Sequence, residues 1–125
     1  MVLLLDGASA LVRSTIALQA IKRNPAWQHL ALESMQGASG TPEERAMHLR
    51  LIKQCAQELA AQDMHLFFTL SAESKQIHEI AAALRPDCIT VHLGEKEDGT
   101  YDRILPLSVT LPDVLTVLDA YMRDA

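Results

Sequence analysis

Val2-Leu3-Leu4-Leu5-Asp6-Gly7-Ala8-Ser9-Ala10-Leu11-Val12-Arg13-Ser14-Thr15 decides how the rest of the chain is read. Four consecutive apolar residues, Val2 to Leu5, lack the polar alternation of a half-exposed strand. They predict a strand buried on both faces that ends in a turn at Asp6-Gly7. From Arg13 to Arg23 the apolar residues Ile16, Ala17, Ala20 and Ile21 recur at helical spacing, and Asn24-Pro25 closes the segment. The opening unit is therefore strand, loop, helix.

The same alternation continues outward. Trp27 to Glu33 holds a short apolar stretch around Leu30 to Leu32, a second strand. Thr41-Pro42-Glu43-Glu44 places an N-cap hydroxyl, a proline at the first helical position and a glutamate three residues after the cap, the pattern of a capping box. The helix it opens shows one face through Ala46, Leu49, Ile52, Ala56, Leu59 and Ala60. His65 to Leu70 reads as a third strand and Ser74 to Leu84 as a helix facing inward through Ile77, Ile80, Ala81 and Leu84. Cys88 to Leu93 is a fourth strand, Arg103 to Leu107 a shorter fifth, and Leu111 to Met122 a last helix. Gln36 to Gly40 and Gly94 to Thr100 are loops. Strict alternation of this kind implies an α/β three-layer sandwich, with a mostly parallel sheet of about five strands and helices on both faces. Ligands of such sheets bind at the carboxyl ends of the strands.

With 125 residues the chain is the length of one domain, expected to span 1–125. Apolar residues at 49% and charged residues at 22% describe a packed globular protein rather than a disordered or fibrous one. Eleven Lys and Arg against sixteen Asp and Glu give a net charge of −5, and no basic block exceeds Lys22-Arg23. That composition argues against nucleic acid as a partner but leaves room for one positive pocket and a small anion. Asp6 and Arg13 interrupt the only apolar runs near Met1, so neither a secretion signal nor a membrane span is expected. Cys55 and Cys88 lack C-x-x-C spacing and read as small buried hydrophobes of a reducing cytoplasm.

The first loop sits where a phosphate-binding P-loop belongs and is a damaged copy of one. The pattern G-x-x-x-x-G-K-[ST] uses its first Gly for the turn and its second for close backbone approach. Its Lys reaches the outer phosphates and its hydroxyl holds magnesium. Gly7, Ser14 and Thr15 fit, whereas Val12 replaces the second Gly and Arg13 the Lys. A β-branched Val disfavours positive φ, and Arg keeps the charge without the compact ammonium. Gly7, Arg13, Ser14 and Thr15 are the candidate anion or nucleotide site, with Ser14 a magnesium ligand only if a nucleotide binds. The plainer alternative is an ordinary strand-to-helix turn.

In order and spacing these segments resemble the P-loop kinase fold and, within it, the adenylylsulfate kinases. Thr41 to Arg50, then Ala56 to Asp63 leading into Leu66-Phe67-Phe68-Thr69-Leu70 and Ser71, look like that family's helix, strand and serine-containing turn. Asp102 to Leu107 followed by Leu111 to Leu115 is similar to its closing strand and helix. The resemblance implies a sheet of P-loop kinase type and ATP with magnesium as the cofactor. It also implies a role for Arg45 toward the sulfate-nucleotide substrate, with His48 standing where an asparagine is usual. Arg45 and His48 share a helix face and could present a donor pair to an anion, or could be solvated surface residues.

The departures are as informative. The family's acceptor-site aspartate has no match beyond Glu33, and its arginine-bearing lid is missing: only Gly94 to Asp102, with four acids and one Lys, joins the fourth and fifth strands. Phosphoryl transfer depends on positioning and on cancelling negative charge, and one well-placed arginine is worth ~10³–10⁵ in rate. Losing the Lys, the second Gly and the lid together implies a catalytically impaired or inactive pseudoenzyme with a binding or regulatory role. The alternatives are a small active ATP-dependent kinase using Arg13, and a protein-interaction module with an empty cleft. For the last, the surface uncovered by the missing lid would take a protein partner or a second copy. His29, His65, His78 and His92 lack ligand spacing, although His65 and His92 could approach across the sheet as a metal pair. Ser9 and Ser71 follow strands, yet neither lies in a G-x-S-x-G elbow.

Overall fold

A computed structural model describes residues 1–31, 41–70, 74–95 and 101–123, with the side chains of residues 45, 48 and 74–76 outside that description. The elements run β1 (Val2–Gly7), α1 (Ala10–Arg23), β2 (Trp27–Ala31), α2 (Pro42–Ala60), β3 (His65–Thr69), α3 (Ser74–Leu84), β4 (Cys88–Leu93), β5 (Arg103–Leu105) and α4 (Leu111–Arg123). All strand pairs are parallel, in the order β2-β3-β1-β4-β5. The sheet is thus wholly parallel, and β1, whose continuous apolar run demanded two covered faces, lies at its centre.

Strand alternation divides the core into two layers. Leu3, Leu5, Phe67, Val91 and Leu93 pack with Ile16, Ala17 and Ala20 of α1 and Val114, Leu115 and Leu118 of α4. Val2, Leu4, Leu66, Phe68 and Cys88 point the other way, onto Ile52 of α2 and Ile77 and Ala81 of α3. Leu3, Leu5, Phe67 and Phe68 are wholly buried. Each such side chain contributes about 1.5–3 kcal/mol of burial free energy.

Thr41 caps α2 as its sequence predicts: its hydroxyl accepts from the Glu44 N–H at 3.2 Å, with Pro42 in the first turn. At α1 the structure departs from the sequence reading. The helix begins at Ala10, not near Arg13, because Ser9 adopts an extended cap conformation and its Oγ accepts from the Val12 N–H at 3.2 Å. Nothing in Ala10-Leu11-Val12 interrupts a helix once that cap is set. β2 is described over Trp27–Ala31, and Glu33 and the Gln36 to Gly40 loop lie outside the described residues. β5 stops at Leu105, before Pro106, which has no N–H for a ladder.

The far ends of α1 and α4 are joined by polar contacts. Asn24 donates through Nδ2 to the Ala20 carbonyl and to Asp119 Oδ1, Arg23 pairs with Asp119 Oδ2 at 2.8 Å, and Trp27 Nε1 donates to the Met122 carbonyl. Burial works to raise the Asp119 pKa, but the hydrogen bonds from Asn24 and Arg23 and the charges of Arg23 and Arg123 outweigh it, and the net shift is downward. Asp102 is lowered too: burial again opposes, and donors from Thr90 and Arg85 prevail. Cys88 is buried and Cys55 partly so, both as free thiols. Burial pushes the Cys88 pKa up to about 12, which keeps it protonated and inert.

Gly7 has φ +89°, and a Cβ there would stand 2.1 Å from the Leu93 carbonyl oxygen. Gly7→Ala should therefore lower the unfolding free energy by about 2 kcal/mol or more in urea titration. Because Asp102 and Asp119 titrate lower when folded, their stabilisation is present above the ordinary carboxylate range near pH ~4 and is lost as pH falls through their folded values. Asp119→Asn should flatten that acid limb of a pH-dependent urea midpoint.

Candidate functional site at the carboxyl edge of the sheet

The carboxyl ends of β1 and β4 meet at Gly7 and Leu93, and the chain turns through Gly7, Ala8 and Ser9 into α1. Ala8 has φ +52° and its N–H donates to the Leu93 carbonyl at 3.2 Å. The turn is short and closed on itself. Arg13, 3% exposed, folds back from α1 so that Nη1 donates to the carbonyls of Gly7 and Ala8 at 2.9 and 3.0 Å. Its backbone N–H bonds to the Ser9 carbonyl, while that of Val12 bonds to Ser9 Oγ. The Val12 and Arg13 amides and the Arg13 guanidinium are thus bonded to the turn and the helix. Among the described residues, Val12 and Arg13 turn these donors inward rather than toward a triphosphate.

Ser14 is exposed on the first turns of α1, and the Thr15 hydroxyl, also exposed, donates to the Leu11 carbonyl at 2.8 Å. Gly7 provides the turn. Arg45 and His48 lie in α2, and their side chains are outside the described residues, as is Ser71. The acidic segment from Gly94 to Asp102 is described only at its ends. There Asp102 is not a free surface charge: it accepts from the Thr90 N–H at 2.8 Å, from the Thr90 hydroxyl at 3.1 Å and from Arg85 at 3.2 Å.

Beside α1 lies a cleft of about 290 Å³, walled by Leu11, Val12, Thr15, Leu93, Leu107 and Leu111 among others. Leu11 is 77% and Leu107 69% exposed at its rim. The cleft is apolar, and it opens on the α1/α4 side of the sheet.

On the opposite side is a polar cluster that sequence reading missed. Asp6 and His92 are register partners at the ends of β1 and β4. His92 Nδ1 lies 2.7 Å from Asp6 Oδ1, and the Tyr101 hydroxyl donates to Asp6 Oδ2 at 2.9 Å. All three are buried. The signal was present in the sequence, since an acid closing one apolar strand and a histidine inside another are exceptions to burial statistics. The expected approach of His65 to His92 does not occur. His65 begins β3 at the level of Met1 and His92 lies next to the end of β4 at the level of Asp6, so parallel register separates them by five residues along the strands, roughly 16 Å. His65 instead contacts the amino terminus and the Trp27 ring. His29 Nε2 lies 2.9 Å from the Thr69 hydroxyl. No group of three metal-ligating side chains occurs among the described residues.

No protein-family model matches the chain, and no curated protein resembles it in sequence. Solved structures match it in fold. An unliganded sugar kinase from Janibacter sp. HTCC2649 superposes with a TM-score of 0.74 at 13% identity, over 99% of this chain and 95% of that one. The fold is that of the P-loop kinases. The APS (adenylylsulfate) kinase CysC of Mycobacterium tuberculosis matches this kinase fold with a TM-score of 0.64 at 14% identity, over 99% and 96% of the two chains. A hexameric APS kinase from Thiobacillus denitrificans gives 0.65 at 9% identity, over 99% of this chain and 29% of that one. Identities so low establish shared architecture and not shared chemistry.

The committed state of Arg13 has a measurable consequence. Arg13→Met should cost about 1.5–3 kcal/mol in urea unfolding, because two loop carbonyls lose a charged donor. Ser14→Ala, on the exposed face, should change stability by less than about 0.5 kcal/mol.

Proposed function

We propose that this chain is a degenerate adenylylsulfate-kinase-like protein, one domain over 1–125, that has given up phosphoryl transfer and acts by binding. One observation carries the reading: Arg13 and the Val12 and Arg13 amides, the groups a P-loop aims at phosphate, are spent on the Gly7–Ser9 turn. Without a cradle the developing charge of a transferring phosphoryl group goes uncompensated. What remains for a ligand is the apolar cleft, with Ser14 and Thr15 at the start of α1 for weak nucleotide or anion contacts. Arg45 and His48 serve an anionic group approaching from α2. A flat base or similar apolar group suits a cleft of about 290 Å³ walled by leucines and valines.

The test combines turnover with thermal shift. Magnesium-ATP with or without adenylylsulfate should yield no ADP above the protein-free rate. ATP and ADP at ten times their Kd should stabilise the protein by about 1.4 kcal/mol, and inorganic phosphate should not. Leu11→Asp should remove the shift. ADP formation that Ser14→Ala abolishes would establish the alternative of an active kinase. The exposed rim of Leu11, Val12, Leu107 and Leu111 also favours a second reading, an interaction module whose cleft side takes a protein partner or a second copy. That reading gains if no nucleotide shifts the melting temperature and sedimentation shows an oligomer dispersed by Leu107→Glu.

A further inference from the structure

We infer that His92 is a proton acceptor, held in position by Asp6 and Tyr101, for a neutral hydroxyl-bearing small molecule on the α2/α3 side of the carboxyl edge. The geometry starts with alternation. Leu93 faces the apolar cleft, so His92, its neighbour in β4, faces the other side of the sheet. There its Nδ1 is bonded to Asp6 Oδ1, and a carboxylate can only accept. Nδ1 therefore carries a proton, and Nε2 is the ring nitrogen turned away from the carboxylate. The Tyr101 hydroxyl occupies the second oxygen of Asp6 and stops the carboxylate from rotating away. This is the carboxylate–imidazole arrangement that fixes a histidine's tautomer and orientation in general-base sites.

Two further observations point to a ligand. Among the described residues none donates to Nε2, and a Cβ at Gly94 would stand 3.3 Å from Nε2 and crowd it. Lacking a side chain, Gly94 leaves that position beside Nε2 unfilled. The Tyr101 ring lies tilted against His92, with ring centroids 4.9 Å apart, and also contacts the His78 ring at 5.7 Å. The His78 Nε2 is buried with no hydrogen-bond partner among the described residues, and an orphaned buried nitrogen in a folded protein calls for an occupant. Two imidazole nitrogens against one aromatic ring match a molecule carrying more than one hydroxyl. The Asp6 carboxylate behind His92 disfavours an anion, so the ligand is neutral.

The measurement is long-range proton–nitrogen NMR of the histidine rings in the full chain, near neutral pH, with glycerol and glucose as probes. The expected spectrum shows His92 with a protonated Nδ1 and a bare Nε2, and the Nε2 resonance moves on adding either polyol while that of His65 does not. Diethyl pyrocarbonate should acylate His92 Nε2, more slowly when polyol is present. In Tyr101→Phe, which leaves the Asp6 contact, the tautomer should persist and the polyol response weaken; in Asp6→Asn the fixed tautomer should be lost. A doubly protonated or Nε2–H His92 would overturn the inference, since that nitrogen would then donate. So would a His92 that neither reagent nor polyol reaches in the folded protein, which would make the cluster a sealed structural network. Neither result depends on whether nucleotide binds the cleft on the other face.

Discussion

The close approach of Gly7 to the Leu93 carbonyl is the constraint on which the functional edge depends. No side chain fits between β1 and β4 at that level. The contact holds the two strands in register to their last residues, which places Asp6 beside His92. It also ends β1 in a positive-φ turn, so the chain leaves the sheet sharply and α1 starts at Ala10. A looser strand end would leave room for the wide loop that phosphate binding needs.

Arginine in place of a P-loop lysine reads, on charge alone, as a retained anion site. The structure gives it a different use. A guanidinium presents several donors in a plane, and here Nη1 spans two adjacent carbonyls that a positive-φ turn points toward it. The cation neutralises the carbonyl dipoles of the turn instead of a ligand. Likeness to sugar and APS kinases in backbone therefore coexists with a loop whose electrostatics are directed inward.

The two faces of the sheet end in different chemistry. Toward α1 and α4 the edge is apolar, with leucines exposed at its rim. Toward α2 and α3 it carries an acid, a tyrosine and two histidines whose rings contact the tyrosine. Alternation along β4 makes this separation unavoidable, because Leu93 and His92 are consecutive and must point oppositely. A buried charge is tolerated at the second face only because both oxygens of Asp6 have donors.

By itself the sequence determined the fold. The doubly buried run of Val2 to Leu5, the Thr41 capping box and the alternation of apolar runs with helical periods are local signals, written in neighbouring residues, and they required a parallel α/β sheet. The register that joins Asp6 to His92 and the pairing of Asp102 with Thr90 and Arg85 were decided by tertiary structure, as was the inward turn of Arg13. Those contacts join residues distant in the chain, or depend on a cap that competes with a family pattern. His65 and His92 illustrate the difference: both were legible as strand histidines, but only the shared ladder through β1 shows that they lie at opposite ends of the sheet. Spacing along a chain fixes which residues share a strand or a helix face, whereas function here rests on which strand ends meet, and that is set by packing across the sheet.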